Sequence, residues 1–344
     1  MSAVASELTG RPDSRTHAAR FAVGAVLIAV AATALGILAP VSIGIGILFV
    51  FAGPHNWIEA RYVLSRLPSR FAPVAPFMIG GVVGVLVLAT SATLLPSVAR
   101  ATPLQWIRGA NALTLLAMLW NVALIGWIAA LLMLRSRQKP ARDWWWCLPA
   151  ALVIAALSCL QPLAWSLALV YLHPLVAFAI LDRELRARRR DLRPAYHAVL
   201  ALVPILLAVL WWQLRDAPPL IGQGDDALTM RLVSTAGGAL IKQVPAHFLV
   251  ASHVLLETLH YAVWLIAIPA FAIRGRILDV ARIPVATRSV AARRAIQLVL
   301  AASACLVVAL WAAFTQHQVA ARDLYFTLSI VHVLAEAPLL IRLL

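Results

Sequence analysis

Charged residues are scarce in this chain of 344 residues. Asp, Glu, Lys and Arg together make up 12% of it, about half of their usual share in a soluble domain. Hydrophobic types make up 62%, and the mean hydropathy is +0.88. Such a chain is neither disordered nor an ordinary soluble globular protein. The composition is instead typical of a polytopic helical membrane protein.

Cysteine is also scarce, since the chain has only Cys147, Cys159 and Cys305. None of them forms a C-x-x-C pair, which argues against a disulfide scaffold and a zinc ribbon. The sequence has no phosphate-binding loop, H-E-x-x-H motif or nucleophile elbow, so nucleotide-driven work and serine hydrolysis lack support. The net charge is +15, but no basic run is interleaved with aromatic residues in a soluble segment. We therefore expect no nucleic-acid partner.

Ten apolar stretches account for most of the chain. They lie at 20–38, 41–63, 74–97, 106–134, 144–160, 161–182, 196–213, 246–272, 294–314 and 324–342. A helix needs about 20 residues to cross a bilayer, so the pattern predicts an all-α transmembrane bundle of about ten spans. The fifth stretch is short and Pro162 follows it, so residues 144–182 form either two spans or one broken, re-entrant pair.

Basic residues occupy every second loop. The N-terminal tail, the loops after the second, fourth, sixth and eighth stretches, and Arg342 hold 23 of the 29 Lys and Arg residues. The positive-inside rule then places both termini in the cytoplasm. We expect a cytoplasmic tail at 1–19, one transmembrane domain over 20–344 and a non-cytoplasmic loop near 214–245. The lipid bilayer is the expected partner, and the bacterial inner membrane is the expected location.

Ionisable side chains within the predicted spans are the features that need a functional explanation. An Arg, Lys or Asp at the centre of a span costs about 2.5–3.5 kcal/mol on insertion scales. Three spans carry a His four residues before a Glu, and residues at this spacing share one helix face. These pairs are His55 and Glu59, His253 and Glu257, and His332 and Glu336. His260 and His173 lie within the eighth and sixth spans.

These His and Glu residues suit a transition metal. A Glu and a His three residues apart, as at Glu257 and His260, form the ligand pair of di-metal carboxylate bundles. His55, His173, His260 and His332 fall near the middle of their spans, so we expect the spans to converge on one site. The predicted metal ligands are His55, His173, His253, Glu257, His260 and His332. The predicted catalytic or positioning carboxylates are Glu59, Glu257 and Glu336.

The motif Gly53-Pro54-His55-x-x-x-Glu59 resembles the early Pro-His element of the bacterial integral-membrane carotene dioxygenases, the Brp/Blh group. His332 matches the histidine that this group has near its C-terminus. The resemblance implies a nonhaem iron held by histidines and oxidative cleavage of a long polyene. Asn56 stands where the family favours Gly, and the acid is Glu rather than Asp. His253, Glu257 and His260 do not reproduce the family's central motifs.

Three functions remain open from the sequence. The first is a metal-dependent oxidoreductase or oxygenase in the membrane, with iron as the first choice of metal and a lipophilic substrate such as a polyene or a lipid. The second is a transporter or channel that uses the same His and Glu residues as a proton or ion relay. The third is a non-catalytic membrane partner, in which the polar residues stabilise helix packing.

Overall fold

A computed structural model of the protein describes residues 14–68, 72–101, 112–138, 143–218, 220, 227–238, 240–273, 277–316 and 318–343. Within these ranges the regular structure is helical and no strand occurs. The α-helices are α1 (Ser14–Leu38), α2 (Pro40–Ser65), α3 (Ala75–Ala101), α4 (Ala112–Gln138), α5 (Cys147–Leu160), α6 (Pro162–Arg188), α7 (Arg193–Leu214), α8 (Ala227–Thr235), α9 (Ala246–Ala262), α10 (Ile268–Phe271), α11 (Val290–Gln316) and α12 (Gln318–Leu343). A π-helical segment, Val263–Ala267, joins α9 to α10.

Eight helices of the described part are long and apolar enough to cross a membrane. They are α1, α2, α3, α4, α6, α7, α11 and the continuous run from α9 to α10. The predicted class, an all-helical membrane protein, is therefore confirmed. Helix α5 has only 14 residues, and α12 has the length of a span but is not among the eight. The ten-span count and the cytoplasmic termini stay predictions.

Proline lies both at the starts of helices and at internal positions where it bends a helix. Pro40 and Pro162 open α2 and α6, where the missing N–H is harmless because the first turn has no acceptor for it. Pro54, Pro174 and Pro338 lie inside α2, α6 and α12. An internal proline removes one backbone hydrogen bond and bends the helix. Each of these three lies within two residues of a His or Glu from the predicted site.

Helix α9 lies at the centre of the bundle. In the apolar 18-residue stretch of the run from α9 to α10, 50% of the residues are buried inside the bundle. The share is 11% in α11, which lies at the periphery. Helix α9 packs against α1, α2, α6 and α7, while α12 packs against α2, α3, α4, α6 and α11. Helices α2 and α6 therefore each touch both α9 and α12. These four helices form a ring, and they are the four that carry the predicted His and Glu residues.

Arginine side chains tie the ends of α2, α6 and α10 together. Glu184 on α6 is buried and accepts hydrogen bonds from the Tyr62 hydroxyl of α2 at 2.8 Å and from Arg66, just after α2, at 2.6 Å. Arg188, one turn further along α6, donates to the carbonyl of Ala272 at 2.6 Å, just after α10. Because a buried carboxylate is stable only when paired, this clamp fixes how α2, α6 and α10 lie beside one another.

The segment predicted as a non-cytoplasmic loop contains helix α8. This short helix packs against α2 and α9, and Leu220 and Val233 form a small apolar cluster with Val250. Part of the predicted 214–245 loop is therefore folded onto the bundle. At the other predicted extramembrane segment, α1 begins at Ser14, inside the expected tail at 1–19, and residues 1–13 lie outside the described ranges.

Helices α5 and α6 are separated by Gln161 alone. Gln161 has φ −142° and ψ 68°, which breaks the helix. The Asn121 side-chain amide of α4 donates to the carbonyl of Pro162 at 3.0 Å. The joint is thus fastened to α4, and residues 144–182 form two distinct helices rather than one continuous one.

Candidate metal centre

Four imidazole rings from four helices meet in the ring of α2, α6, α9 and α12. The ring centroids of His173 and His260 lie 4.4 Å apart, and the His332 centroid is 4.8 Å from those of both His55 and His173. The exposed fractions of His55, His173 and His260 are 2%, 9% and 0%. Residues that are far apart in sequence therefore share one buried place.

Two carboxylates join these rings because each lies one turn beyond a histidine. Glu59 follows His55 on α2, Glu336 follows His332 on α12, and both are buried. The Glu336 Oε2 atom is 2.9 Å from His173 Nδ1, and the Nε2 atoms of His173 and His332 are 3.1 Å apart. Two ligands bound about 2.1 Å from one ion would lie about 3.0–3.4 Å apart at right or tetrahedral angles. Nδ1 and Nε2 lie on two different edges of the His173 ring, so each separation fits a pair of ligands, but a single ion can use only one of these two contacts.

The donor atoms fall into two overlapping groups. His173, His260, His332 and Glu336 can each offer one atom such that all four atoms lie within 4.8 Å of one another. His55, Glu59 and His332 form a second group under the same limit. Imidazole and carboxylate together suit iron, manganese, zinc or copper. The residues present therefore fit a metal ion, and His332 belongs to both groups.

Many of these atoms have no hydrogen-bond partner within the described part of the chain. Buried and unpartnered are His55 Nε2, Glu59 Oε2, His173 Nδ1, His260 Nδ1, His260 Nε2, His332 Nδ1, Glu336 Oε1 and Glu336 Oε2. A buried polar atom without a partner is destabilising. His173 Nδ1 and Glu336 Oε2 lie 2.9 Å apart and form an ion pair if the ring is protonated. A bound cation or shared protons would satisfy the other atoms.

The carboxylates of the cluster also lack basic partners. Among the ion pairs of the described residues, none joins Glu59, Glu257 or Glu336 to an Arg or a Lys, and Glu336 pairs only with His173. Glu184 offers the contrast, since this equally buried Glu is held by Arg66 and Arg188. Negative charge buried without an arginine needs another source of positive charge.

His253 and Glu257 lie outside both donor groups. His253 is seven residues before His260, about 10 Å along the axis of α9, and its ring is 6.2 Å from that of Tyr171. Glu257 pairs with the Tyr261 hydroxyl one turn later. Two of the predicted ligands, His253 and Glu257, are therefore not part of the donor groups. Residues on the same face of a helix can lie at different depths in the bundle.

Two aromatic residues, Trp264 and Tyr261, contact the cluster. Trp264 is fully buried and packs edge-on against Tyr62 at 5.7 Å, and its indole N–H lies near Glu336 without a well-formed hydrogen bond to it. Tyr261 places its ring 4.6 Å from that of His55. Trp264 lies four residues after His260, and this spacing was the signal that could have found it.

An apolar cavity of about 250 Å³ lies on another side of α9. Phe21, Phe178, Val199, Leu259 and Val263 are among its lining residues, whereas none of the eight predicted His and Glu residues lines it. Leu259 and Val263 share a helix face that differs from the face of His260. The cavity is therefore separate from the candidate metal centre.

Comparison of the chain with protein-family models, characterised proteins and solved structures finds no match in any of the three. The resemblance to the membrane carotene dioxygenases thus stays a prediction. The fold and the site define a helical membrane-type bundle with a candidate His/Glu metal centre at its middle.

Proposed function

We propose that the protein is a membrane-embedded, metal-dependent oxidoreductase that acts on a lipophilic substrate. The observation that carries the proposal is the meeting of His55, His173, His260 and His332 with two carboxylates that have no Arg or Lys partner in the described part of the chain. Packing histidines would be expected to hydrogen-bond to nearby backbone or side chains. Within the described residues, both ring nitrogens of the fully buried His260 are without such a partner.

The donor set argues for a redox-active metal. A structural zinc site is usually closed by four ligands rich in cysteine, and Cys147, Cys159 and Cys305 are not part of the cluster. Histidines with carboxylates and no thiolate suit iron, manganese, copper or a catalytic zinc, and of these we propose a redox-active metal. Iron is our first choice of metal, as it was from the sequence. Such a metal, when bound, would supply electron-transfer and oxygen-binding chemistry.

The protein's own residues would position the metal and exclude water. His173, His260, His332 and Glu336 would hold it, and the Trp264 indole N–H would fix the Glu336 carboxylate. Outer partners of this kind set the orientation and basicity of metal ligands. The ring of four helices keeps the donors away from solvent, which strengthens electrostatic interactions inside the site.

The position of the cluster argues for a lipophilic substrate. The donors lie within helices whose outward faces carry large exposed hydrophobic residues, such as Leu172 and Leu175 on α6. A substrate that dissolves in the bilayer can approach between such helices, whereas a charged one would have to leave water at high cost. A polyene or a lipid meets this condition.

Metal content and oxygen consumption of purified protein test the proposal. We expect the wild type to carry a transition metal and to consume O₂ when a polyene or lipid is supplied. His260→Ala should bind less metal and lose the oxygen consumption, and His253→Ala, outside the donor groups, should keep the metal. Less than about half an equivalent of any transition metal after growth in replete medium would contradict the proposal. Unchanged activity in His260→Ala would point instead to a packing role.

A proton- or ion-coupled transporter is the second candidate, and one feature favours it. His253, Glu257 and His260 follow each other at intervals of one turn along α9. Such a line of ionisable groups is typical of a proton relay.

Glu257→Gln separates the two candidates, because this residue belongs to the line on α9 but to neither donor group. In the oxidoreductase the variant keeps its metal and its oxygen consumption. If the protein is a transporter, the variant keeps its metal but no longer takes up protons or ions into proteoliposomes. Wild-type proteoliposomes and the His253→Ala variant, measured in parallel, show whether the whole line carries protons.

A further inference from the structure

We infer that the cluster holds two metal ions, one among His173, His260, His332 and Glu336 and one beside His55 and Glu59, with His332 shared. This inference rests on the proposed metal-dependent function and adds the number of ions to it. The first reason is the grouping itself, since the six donors form two sets within 4.8 Å rather than one. Ligands of one ion must all lie about 2.0–2.2 Å from it.

The second reason is that the first group is complete without α2. Three imidazoles and one carboxylate already supply the four ligands of a tetrahedral site. His55 Nε2 and Glu59 Oε2 nevertheless lie buried beside that group without a hydrogen-bond partner. A single ion held by the first group would leave both of these atoms unexplained.

The protonation of His55 strengthens this point. Its Nδ1 atom is 3.2 Å from the carbonyl oxygen of Phe51. A carbonyl only accepts, so Nδ1 carries the proton and Nε2 carries a lone pair. That lone pair is buried, and Glu59 lies one turn further along the same face of α2. A lone pair with a carboxylate beside it is a pair of ligands for a cation.

The charge of the cluster is the third reason. Glu59, Glu257 and Glu336 interact electrostatically with one another or with His173, and no Arg or Lys is ion-paired with them in the described ranges. One divalent ion would leave one of three ionised carboxylates uncompensated. Two divalent ions would balance all three carboxylates together with His332, which carries one negative charge as an imidazolate when both of its nitrogens hold an ion. The two-ion assignment therefore leaves no net charge in the interior of the bundle.

His332 is suited to lie between two ions. Its Nε2 atom lies 3.1 Å from the Nε2 atom of His173 in the first group. Its Nδ1 atom has no hydrogen-bond partner among the described residues. Its ring meets that of His55 edge-on, with 4.8 Å between the ring centroids. An imidazole has one nitrogen on each side of its ring, and when the N–H proton is released to solvent both nitrogens carry lone pairs, so His332 would hold both ions as an imidazolate.

Loading with Mn(II) alone tests the assignment in the full-length protein in lipid nanodiscs. The protein is stripped with a chelator and reloaded without oxygen, and bound manganese per chain is counted. We expect two ions and an electron paramagnetic resonance spectrum broadened by their mutual coupling. Glu59→Gln and His55→Gln should each keep one ion, with the resolved hyperfine lines of isolated Mn(II). Glu184→Gln, which alters an equally buried Glu on α6, should keep two.

The outcomes separate the inference from the function on which it rests. One ion in the wild type, or two ions in Glu59→Gln, overturns the second site and leaves a mononuclear oxidoreductase standing. If the wild type holds only one ion, Glu59 and Glu336 share a proton instead. No ion in a folded wild type overturns the proposed function together with the inference. Helical circular dichroism of every variant verifies that a lost ion does not reflect a lost fold.

Discussion

At the scale of single residues, the closest packing in the described part of the chain lies between α3 and α4. A Cβ atom added at Gly84 would fall 1.8 Å from Trp127 Nε1, and this indole donates to the carbonyl of Gly80 at 2.9 Å. Gly84→Ala must therefore move the indole and break its hydrogen bond. We expect a loss of about 1–3 kcal/mol, measured as thermal unfolding in detergent.

Gly126→Ala on the facing helix is the matched control. A Cβ there meets nothing within 4 Å, and alanine is the better helix former by about 1 kcal/mol. This variant should be neutral or slightly more stable. Equal stability of the two variants would show that α3 and α4 are not as close as the structure has them.

Trp264 offers a second test at this scale, because its indole N–H faces Glu336. Trp264→Phe keeps an aromatic ring against Tyr62 but removes the N–H. Loss of an outer partner typically weakens metal binding by about 10–100-fold. We expect a fall of that size in a metal titration followed by competition with a chelator, with little change in melting temperature.

Trp311→Phe controls for the loss of an indole. Trp311 donates its N–H to the carbonyl of Phe49 at 2.9 Å and is not part of either donor group. Its substitution should leave metal affinity unchanged. If both variants bind metal like the wild type, then Trp264 does not position Glu336.

At the scale of helices, the distribution of arginines predicts the path of α5. Basic residues lie before α5, at Arg135 and Arg137 in the last turn of α4, and again at Arg186 and Arg188 in the last turn of α6. If both clusters face the cytoplasm, then the chain crosses an even number of times between them. Helix α6, with 27 residues and high hydropathy, is long enough to cross, so α5 must cross too.

Single cysteines in a background without Cys147, Cys159 and Cys305 test this path. Asp143→Cys should react with a membrane-impermeant maleimide from the cytoplasmic side, and Gln161→Cys only from the opposite side. Reaction of both positions from one side would establish a re-entrant pair instead. The 14 residues of α5 extend only about 21 Å, so the bilayer must thin or the helix ends must lie within it.

The helices themselves could be predicted from the sequence, whereas their side-chain neighbours could be predicted only in part. Apolar runs fix where helices form, because every backbone polar group in a bilayer must be bonded within its own segment. His55, His260 and His332 were placed near mid-span by counting along such runs. The clamp of Tyr62, Arg66 and Glu184 was not predicted, since it pairs residues whose helices become neighbours only on folding.

The separation of His253 and Glu257 from the donor groups has the same cause. Spacing along α9 predicts that His253, Glu257 and His260 share a face, but only the tilt of α9 against α2, α6 and α12 decides which of them reaches the other imidazoles. Tilt and rotation are set by packing between helices. The sequence therefore predicts which helices carry the cluster better than it predicts which residues of those helices belong to it.

At the scale of the whole molecule, the cluster lies where two packed halves of the bundle meet. Helix α9 packs with α1 and α7 on one side, and α12 packs with α3 and α4 on the other. The donors on α2, α6, α9 and α12 connect these halves, so a metal bound there should hold the molecule together. A ligand that binds only the folded state at about 100 times its dissociation constant adds about 2.7 kcal/mol of stability.

Metal removal should accordingly lower the melting temperature of the entire bundle in a single transition. We expect a chelator to destabilise the wild type and His253→Ala alike, and to have a smaller effect on His260→Ala, which starts at the lower value. Circular dichroism at the helical band, with and without chelator, measures this for each protein. A wild type that melts identically in both conditions would mean that no metal joins the two halves, and that shared protons must then compensate the buried carboxylates.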